Sequence, residues 1–312
     1  MYFPILRGRQ FELLALRECV NKGLLSSKII PVVEPVKASP TYTKTVDSFI
    51  KASKPIAIIC NPQVGSWVKD LEKESNAKIR EQVSEQLKDA SIISSFYVTS
   101  ELSDCIESAA ENGISIGSLL LLCNNPDYMS CYEEVIGDKI PLYNVIPDKS
   151  NFKRRICHNL VMCEDHFPKQ TRNIDYSGIN TEFFSADHLY YEEEGYKGFS
   201  DYSVVGVEYS ETGFAPYAVA IHIVYFDEKK ILRIAHFVSD SNDDISDPAR
   251  KFAEAVEKLV EWNKSMKLDT AGIREFEAAY HNKTYPGLGV VKKYSIMHHL
   301  ELMSKHLDGI AK

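Results

Sequence analysis

The sequence predicts an α/β fold, a (β/α)8 TIM-like barrel carrying an added β-hairpin and C-terminal helices. Three observations point there. Short apolar runs alternate with longer amphipathic segments, as in βα units built around a parallel sheet. Eight such runs fall within about the first two hundred residues, the size of a minimal barrel. The turn after the first run, Leu6-Arg7-Gly8-Arg9, is not the G-x-G-x-x-G that an open dinucleotide-binding sheet usually shows.

Taken in order, Tyr2–Leu6 reads as the first strand, stopped by Gly8, and Arg9–Asn21 as a helix with Phe11, Leu14, Ala15 and Cys19 on one face. Ile29–Glu34, rich in β-branched residues, is the second strand and precedes a helix over Tyr42–Lys51. Pro55–Cys60 is the third, followed by a charged helix from about Val68 to Ala90. Ile93–Val98 is the fourth; Ser100 then suits an N-cap for a helix through Ala110, and Asn112-Gly113 its stop. The unbroken apolar run Ile116–Cys123 predicts a fifth strand buried on both faces. Short helices over Tyr132–Ile136 and Lys149–Ile156 precede the sixth strand, Pro141–Ile146, and the seventh, Leu160–Cys163. Tyr202–Val207 is the expected eighth. The long intervening segment His166–Asp201 carries a helix near Thr181–Glu194 ending at Gly195. Tyr217–Phe226 and Ile231–Val238 form a hairpin turned by Asp227–Lys230, and Pro248–Met266, Thr270–His281 and Lys293–Leu307 are helices. A single domain over 1–312 is expected, its barrel core spanning about 1–210 and its extension about 211–312.

The 312 residues are 44% apolar and 26% charged, ordinary for a globular chain. A net charge of −8 argues against a broad nucleic-acid surface, though it leaves room for a local basic pocket. No run approaches the roughly 20 apolar residues of a membrane span, and Met1-Tyr2-Phe3-Pro4 does not open like a secretory signal. Most of the seven cysteines, among them Cys60, Cys123, Cys157 and Cys163, sit in or beside apolar runs. The expectation is a cytoplasmic protein with reduced thiols. Cys157, His158, Cys163 and His166 are metal-capable, but they bracket a strand whose alternation sends them in different directions.

In a barrel, residues that end strands or open the following loops line the functional face. Those positions here are Arg7, Arg9, Glu34, Asn61, Thr99, Asn124, Asp148, Glu164 with Asp165, and Glu208. Glu34 closes an apolar strand, which suits either a solvated rim or a general base or metal ligand. Glu34, Glu164 and Asp165 are therefore the candidate catalytic groups. Arg7 and Arg9 flank Gly8, whose lack of a side chain allows close backbone approach, and two guanidiniums there could grip a phosphate or pair with Glu12 or Glu34. After the seventh strand, Lys169 and Arg172 could bind an anion unless Asp175 neutralises Arg172. Arg7, Arg9, Asn61, Lys169, Arg172 and Asp175 form the candidate ligand-binding set. His222 and His236, among apolar neighbours on the hairpin, read as packing residues unless a perturbing partner stands beside them. No P-loop, H-E-x-x-H or paired C-x-x-C occurs.

The opening Tyr-Phe-Pro-Ile-Leu-Arg-Gly-Arg-Gln-Phe-Glu-Leu (Tyr2–Leu13) resembles a branch of the bacterial and phage "beta protein" family. So do Ile30-Pro-Val-Val-Glu-Pro35, Glu164-Asp165 leading to Lys169-Gln-Thr-Arg-Asn173 and Asp175-Tyr176, and Tyr285-Pro-Gly-Leu-Gly289. The resemblance implies a barrel-like fold and a setting among phage-related or defence genes, without an established reaction. A fainter likeness to glycerophosphodiesterase barrels rests on Arg7-Gly8 and Glu34, but Leu6 stands where that family carries a histidine.

Three functional readings follow. The first is an antiviral-defence component that binds a phosphorylated small molecule or nucleotide at Arg7, Glu34, Asn61, Glu164, Asp165, Lys169 and Arg172. The second is a non-catalytic subunit that docks a partner protein or an identical copy through the hairpin and C-terminal helices. It calls for a barrel mouth filled by side chains and an apolar patch over Tyr217–Val238 and Ile296–Leu307. The third, a Mg2+-dependent phosphodiesterase, requires Glu34, Asn61 and an acid of the Glu164-Asp165 pair to converge.

Overall fold

The computed structural model describes residues 1–211 and 216–310. Eight parallel strands form a nearly closed barrel, with helices between most of them. In chain order the strands are β1 (Ile5–Leu6), β2 (Val32–Val33), β3 (Ile56–Ile59), β4 (Ile92–Tyr97), β5 (Leu120–Leu122), β6 (Tyr143–Ile146), β7 (Leu160–Cys163), β8 (Thr181–Ser185), β9 (Gly198–Ser200), β10 (Ala220–Phe226) and β11 (Leu232–Val238). The barrel runs β1 to β7 and then β9. It closes where Phe3 and Ile5 donate backbone bonds to the Phe199 and Asp201 carbonyls at 2.9 and 2.8 Å. Alternate residues fill the interior: Phe3 and Ile5, Ile30 and Val32, Ala57 and Ile59, Leu120 and Leu122.

The eighth barrel strand is Gly198–Ser200, not Tyr202–Val207. Gly198 hid it, since glycine is a poor strand former. Its place is steric: a Cβ there would lie 2.6 Å from the Phe3 ring and 2.7 Å from the Met1 carbonyl. The expected helix over Thr181–Glu194 is strand β8 followed by a short helix at Asp187–Tyr190. Antiparallel pairing of β8 with β11 supplies tertiary hydrogen bonds that override local helix propensity. The charged helix after β3 is broken into Trp67–Glu72, a 3-10 turn at Glu74–Asn76, and Ala77–Gln86. Ser100 does not cap the next helix; instead the Thr99 hydroxyl accepts from the Glu101 N–H at 3.2 Å. The fifth strand is shorter than its apolar run, because Ile116–Ser118 coils as a 3-10 turn.

Cα packing divides the chain into two compact units that interleave in sequence. The first comprises Met1–Gln10, Ser27–Asp165 and Asp187–Tyr202, and contains the barrel strands. The second comprises Phe11–Ser26, His166–Ala186 and Ser203–Lys312. It is built on the antiparallel sheet β10-β11-β8, in which the expected hairpin gains a third strand. One face of that sheet, with Ile221, Ile223, Ala235 and Phe237, packs against Phe252, Val256, Leu259, Ile273 and Phe276 of helices Pro248–Met266 and Ala271–His281. Asp247 caps the first of these helices by accepting from the Arg250 N–H at 3.0 Å. Helix Leu288–Leu307 starts before the expected Lys293 and is buried without a break from Ser295 to Ser304. It is thus an internal element rather than an exposed apolar face. Among the described residues, no helix is long and apolar enough to cross a membrane.

Candidate functional site

The interior alternation of the barrel continues past the strand ends. Phe3 and Ile5 lead to Arg7, Ile30 and Val32 to Glu34, Ala57 and Ile59 to Asn61, and Tyr97 and Tyr202 end the same inward rows. These side chains cap the core at the C-terminal end of the strands. Glu34 is 0% exposed and Arg7 8%. Arg7 Nη1 donates to Glu34 Oε2, the Tyr97 hydroxyl donates to the same oxygen at 2.9 Å, and the Gln63 N–H donates to Oε1 at 2.7 Å. Arg7 Nη1 also reaches the Tyr97 hydroxyl at 3.3 Å, and its guanidinium lies 5.4 Å from the centre of the Tyr202 ring. Burial opposes the Arg7 charge, but Tyr97, Glu34 and Tyr202 outweigh it and raise its pKa. Burial, then the Glu34 charge, push the Tyr97 phenol upward, so it remains a donor. Gly8, at φ +61°, lets the chain pass the Glu34 carbonyl, which would sit 2.8 Å from any Cβ.

The Asn61 amide is committed to the backbone of the neighbouring strand. It donates to the Tyr97 carbonyl at 2.9 Å and accepts from the Tyr97 N–H at 2.8 Å, splicing the end of β3 to β4. Glu164 belongs to the outward phase of β7 and accepts from the Asp148 N–H at 3.0 Å. Asp165 follows on the inward phase and is exposed. Asp148 itself pairs with Lys153 at 2.6 Å and Tyr196 at 2.7 Å, and those two partners hold its carboxyl below the usual range. The structure therefore joins Arg7 and Glu34 but gives Asn61 and Glu164 other partners. Among the described residues, no three His, Cys, Asp or Glu side chains are grouped to hold a metal ion.

The anion-binding stretch lies in the second unit. Lys169 pairs with Glu208 at 2.5 Å and Arg172 with Asp175 at 2.8 Å, both on exposed surface. Solvent and salt screen such pairs, so they add little to stability. Asp175 thus takes its neutralising role, while Arg9 stands partly buried just ahead of helix Gln10–Asn21.

Two histidines on the second unit's sheet were legible only as packing residues, yet the hairpin makes them direct cross-strand partners. His222 Nδ1 and His236 Nδ1 share a hydrogen bond at 2.7 Å, and His236 Nε2 meets Glu182 Oε1 at 2.8 Å. The row therefore crosses all three strands, roofed by Tyr176, whose ring centre lies 4.7 Å from that of His222 and 4.6 Å from that of His236. Both ring nitrogens of His236 are engaged, so it can relay a proton between neighbours but not touch a ligand through nitrogen. The signal for the pair was the turn at Asp227–Lys230; Glu182 was hidden by its assignment to a helix. Burial, then the His236 and Lys292 charges, push His222 down to about 3, and burial also lowers His236 against the pull of Glu182. A histidine depressed below its unfolded value of about 6.5 stabilises the fold above that pH and withdraws the stability as pH falls toward its folded pKa. Stability should accordingly drop between about pH 6.5 and about pH 3, with His222 contributing up to about 1.4 kcal/mol per pH unit, as read from denaturation at each pH. His222→Phe should flatten that slope; an unchanged slope would show that the row does not control acid stability.

No protein-family model matches the chain, and a search of curated proteins finds no match.

Proposed function

We propose that this protein is a non-catalytic interaction subunit of an antiviral defence system, with its barrel serving as a sealed scaffold. The observation that carries this reading is the closed Arg7–Glu34–Tyr97 network, in which a carboxylate with 0% exposure spends both oxygens on internal donors. A phosphate arriving at Arg7 would have to displace Glu34 and leave its charge buried, which is strongly unfavourable. The geometry therefore favours the subunit reading over anion binding at the mouth, and the setting among defence genes rests on the resemblance of Tyr2–Leu13. Helix Leu288–Leu307 is internal, so we assign docking to the hairpin sheet, on which Phe183 is 54% exposed, and to Tyr217 just ahead of β10, 58% exposed. Phe183 lies on β8, an edge strand of that sheet.

The test replaces the ion pair by apolar residues of similar size, Arg7→Met with Glu34→Leu, in cells carrying the native gene neighbourhood. Phage plaquing should match wild type wherever the folded protein accumulates normally. Loss of protection by a folded, abundant double variant would return the mouth to the centre of the function.

A further inference from the structure

Outside the barrel mouth, the first unit carries a cleft in its wall. The outward residues of β4, Ile92, Ser94 and Phe96, are largely covered, at 9% exposure or less, but their remaining surface opens into a gap between the helices. They floor the cleft, which is about 750 Å³ and walled by the segments that include helices Ala77–Gln86 and Leu102–Glu111. The cause is visible in composition. Helix Ala77–Gln86 buries only Val83 and Gln86, and the Gln86 amide is committed to Thr43 and Asp47. Helix Leu102–Glu111 buries only Leu102 and Ala109. Where a barrel helix ordinarily sets several leucines or isoleucines against the sheet, these two present Val83, Ser84, Ser108 and Ala109 to the gap.

The chemistry of the walls selects an occupant. Pockets for small molecules run from about 300 to 1,000 Å³, are mostly apolar, and hold a few placed polar groups. Here the floor is apolar with the Ser94 hydroxyl and the Cys60 thiol set into it. Burial pushes Cys60 up to about 11 and raises Cys105, so both thiols are uncharged at neutral pH. The two cations at the rim are committed: Arg80 donates to the Leu71 carbonyl at 2.6 Å, and Lys88 pairs with Glu85 at 2.7 Å. Asp89, Glu101 and Asp104 also stand on the lining and disfavour an anion.

We propose that this cleft in the barrel wall binds an uncharged, largely apolar small molecule bearing a hydrogen-bonding oxygen. The apolar body lies on Ile92 and Phe96, and the oxygen reaches the hydroxyl and thiol groups around Ser94. Asn61, at the end of β3, lies on the lining of this cleft, but Arg7 and Glu34 do not, and the proposal does not depend on the scaffold reading.

The probe is Nile red, an uncharged polycyclic dye with a ketone oxygen, titrated into the full chain. Wild type should bind it saturably, one dye per chain. The double variant Ser84→Trp/Ser108→Trp places indoles at two exposed wall positions and should weaken binding by about tenfold or more, equivalent to about 1.4 kcal/mol, with an unchanged thermal melt. Bound dye should also slow alkylation of Cys105 by N-ethylmaleimide, read by peptide mass. No saturable binding to wild type, or equal binding to the filled variant, overturns the proposal. So does a wild-type dimer that the tryptophans convert to monomer, since the cleft would then be covered by a second copy.

Discussion

Glu34→Leu should cost about 3–5 kcal/mol of barrel stability, and Arg7→Met a similar amount, whereas the two together should cost far less than their sum. Each single change strands one charge where its exposure is 8% or less. The guanidinium or carboxylate then keeps its desolvation penalty and loses the attraction that offset it. Removing both charges removes the penalty. Recovery should stop short of complete, because the buried Tyr97 hydroxyl loses an acceptor, at about 1–3 kcal/mol, whereas the Gln63 N–H sits on an exposed residue where water can replace the bond. Urea denaturation of the four proteins gives the coupling energy directly. Additive losses would mean that the two side chains do not act as a pair.

The second large effect belongs to Gly272, in helix Ala271–His281. Its backbone φ is unexceptional, so the argument is one of space alone. A Cβ would lie 2.2 Å from the Tyr294 carbonyl and 2.8 Å from the His298 N–H. Both are main-chain atoms of helix Leu288–Leu307 and cannot swing aside. The contact is also fastened by polar bonds: the Ala271 N–H donates to buried Glu301 at 2.6 Å, and Thr270 bonds His298 Nδ1 at 2.8 Å. Gly→Ala inside a helix ordinarily gains about 1 kcal/mol. Here overpacking should reverse the sign and leave a net loss toward the upper end of about 1–3 kcal/mol. Gly178→Ala, in a turn where a Cβ would meet nothing within 4 Å, is the control without a clash and should be near neutral. A stabilised Gly272→Ala protein would show that the helices are not that close.

How much of this was legible in the chain depended on whether the deciding interactions were local. Val32–Val33, Ile56–Ile59 and Leu120–Leu122 announce themselves, since apolar runs flanked by turn residues can do little else in a buried parallel sheet. Gly198-Phe199-Ser200 could not be read this way, because its fitness as a strand lies in the close approach of Phe3 almost two hundred residues earlier. The inward position of Arg7, Glu34 and Asn61 follows from period-two alternation. Their partners do not: Tyr97 and Tyr202 look like ordinary core aromatics until the barrel brings five strand ends together. The pairing of Arg172 with Asp175 was readable as an alternative from its three-residue spacing, whereas Lys169 with Glu208 joins distant residues and was not. The His222–His236 pair lay between these cases, implicit in the hairpin register but given meaning only by Glu182.

The interleaved order of the two units has a consequence for synthesis. The barrel ring needs Gly198–Asp201 to meet Met1–Ile5, and the second unit needs the segment after Gln10 to meet the far end of the chain, as when the Ser26 N–H donates to Ser304 at 3.1 Å and Glu18 pairs with Lys293. At roughly 5–20 residues per second, the earliest strands emerging from the ribosome wait on the order of 10–40 s for the strand that closes their ring. The segment that follows β1 in the chain, Phe11–Ser26, waits longer still. During that interval Tyr2–Leu6 is an apolar segment with an open edge, the kind of surface that nascent-chain chaperones hold. Yield in cells should therefore respond to translation rate and chaperone supply more than the stability of the finished fold would suggest.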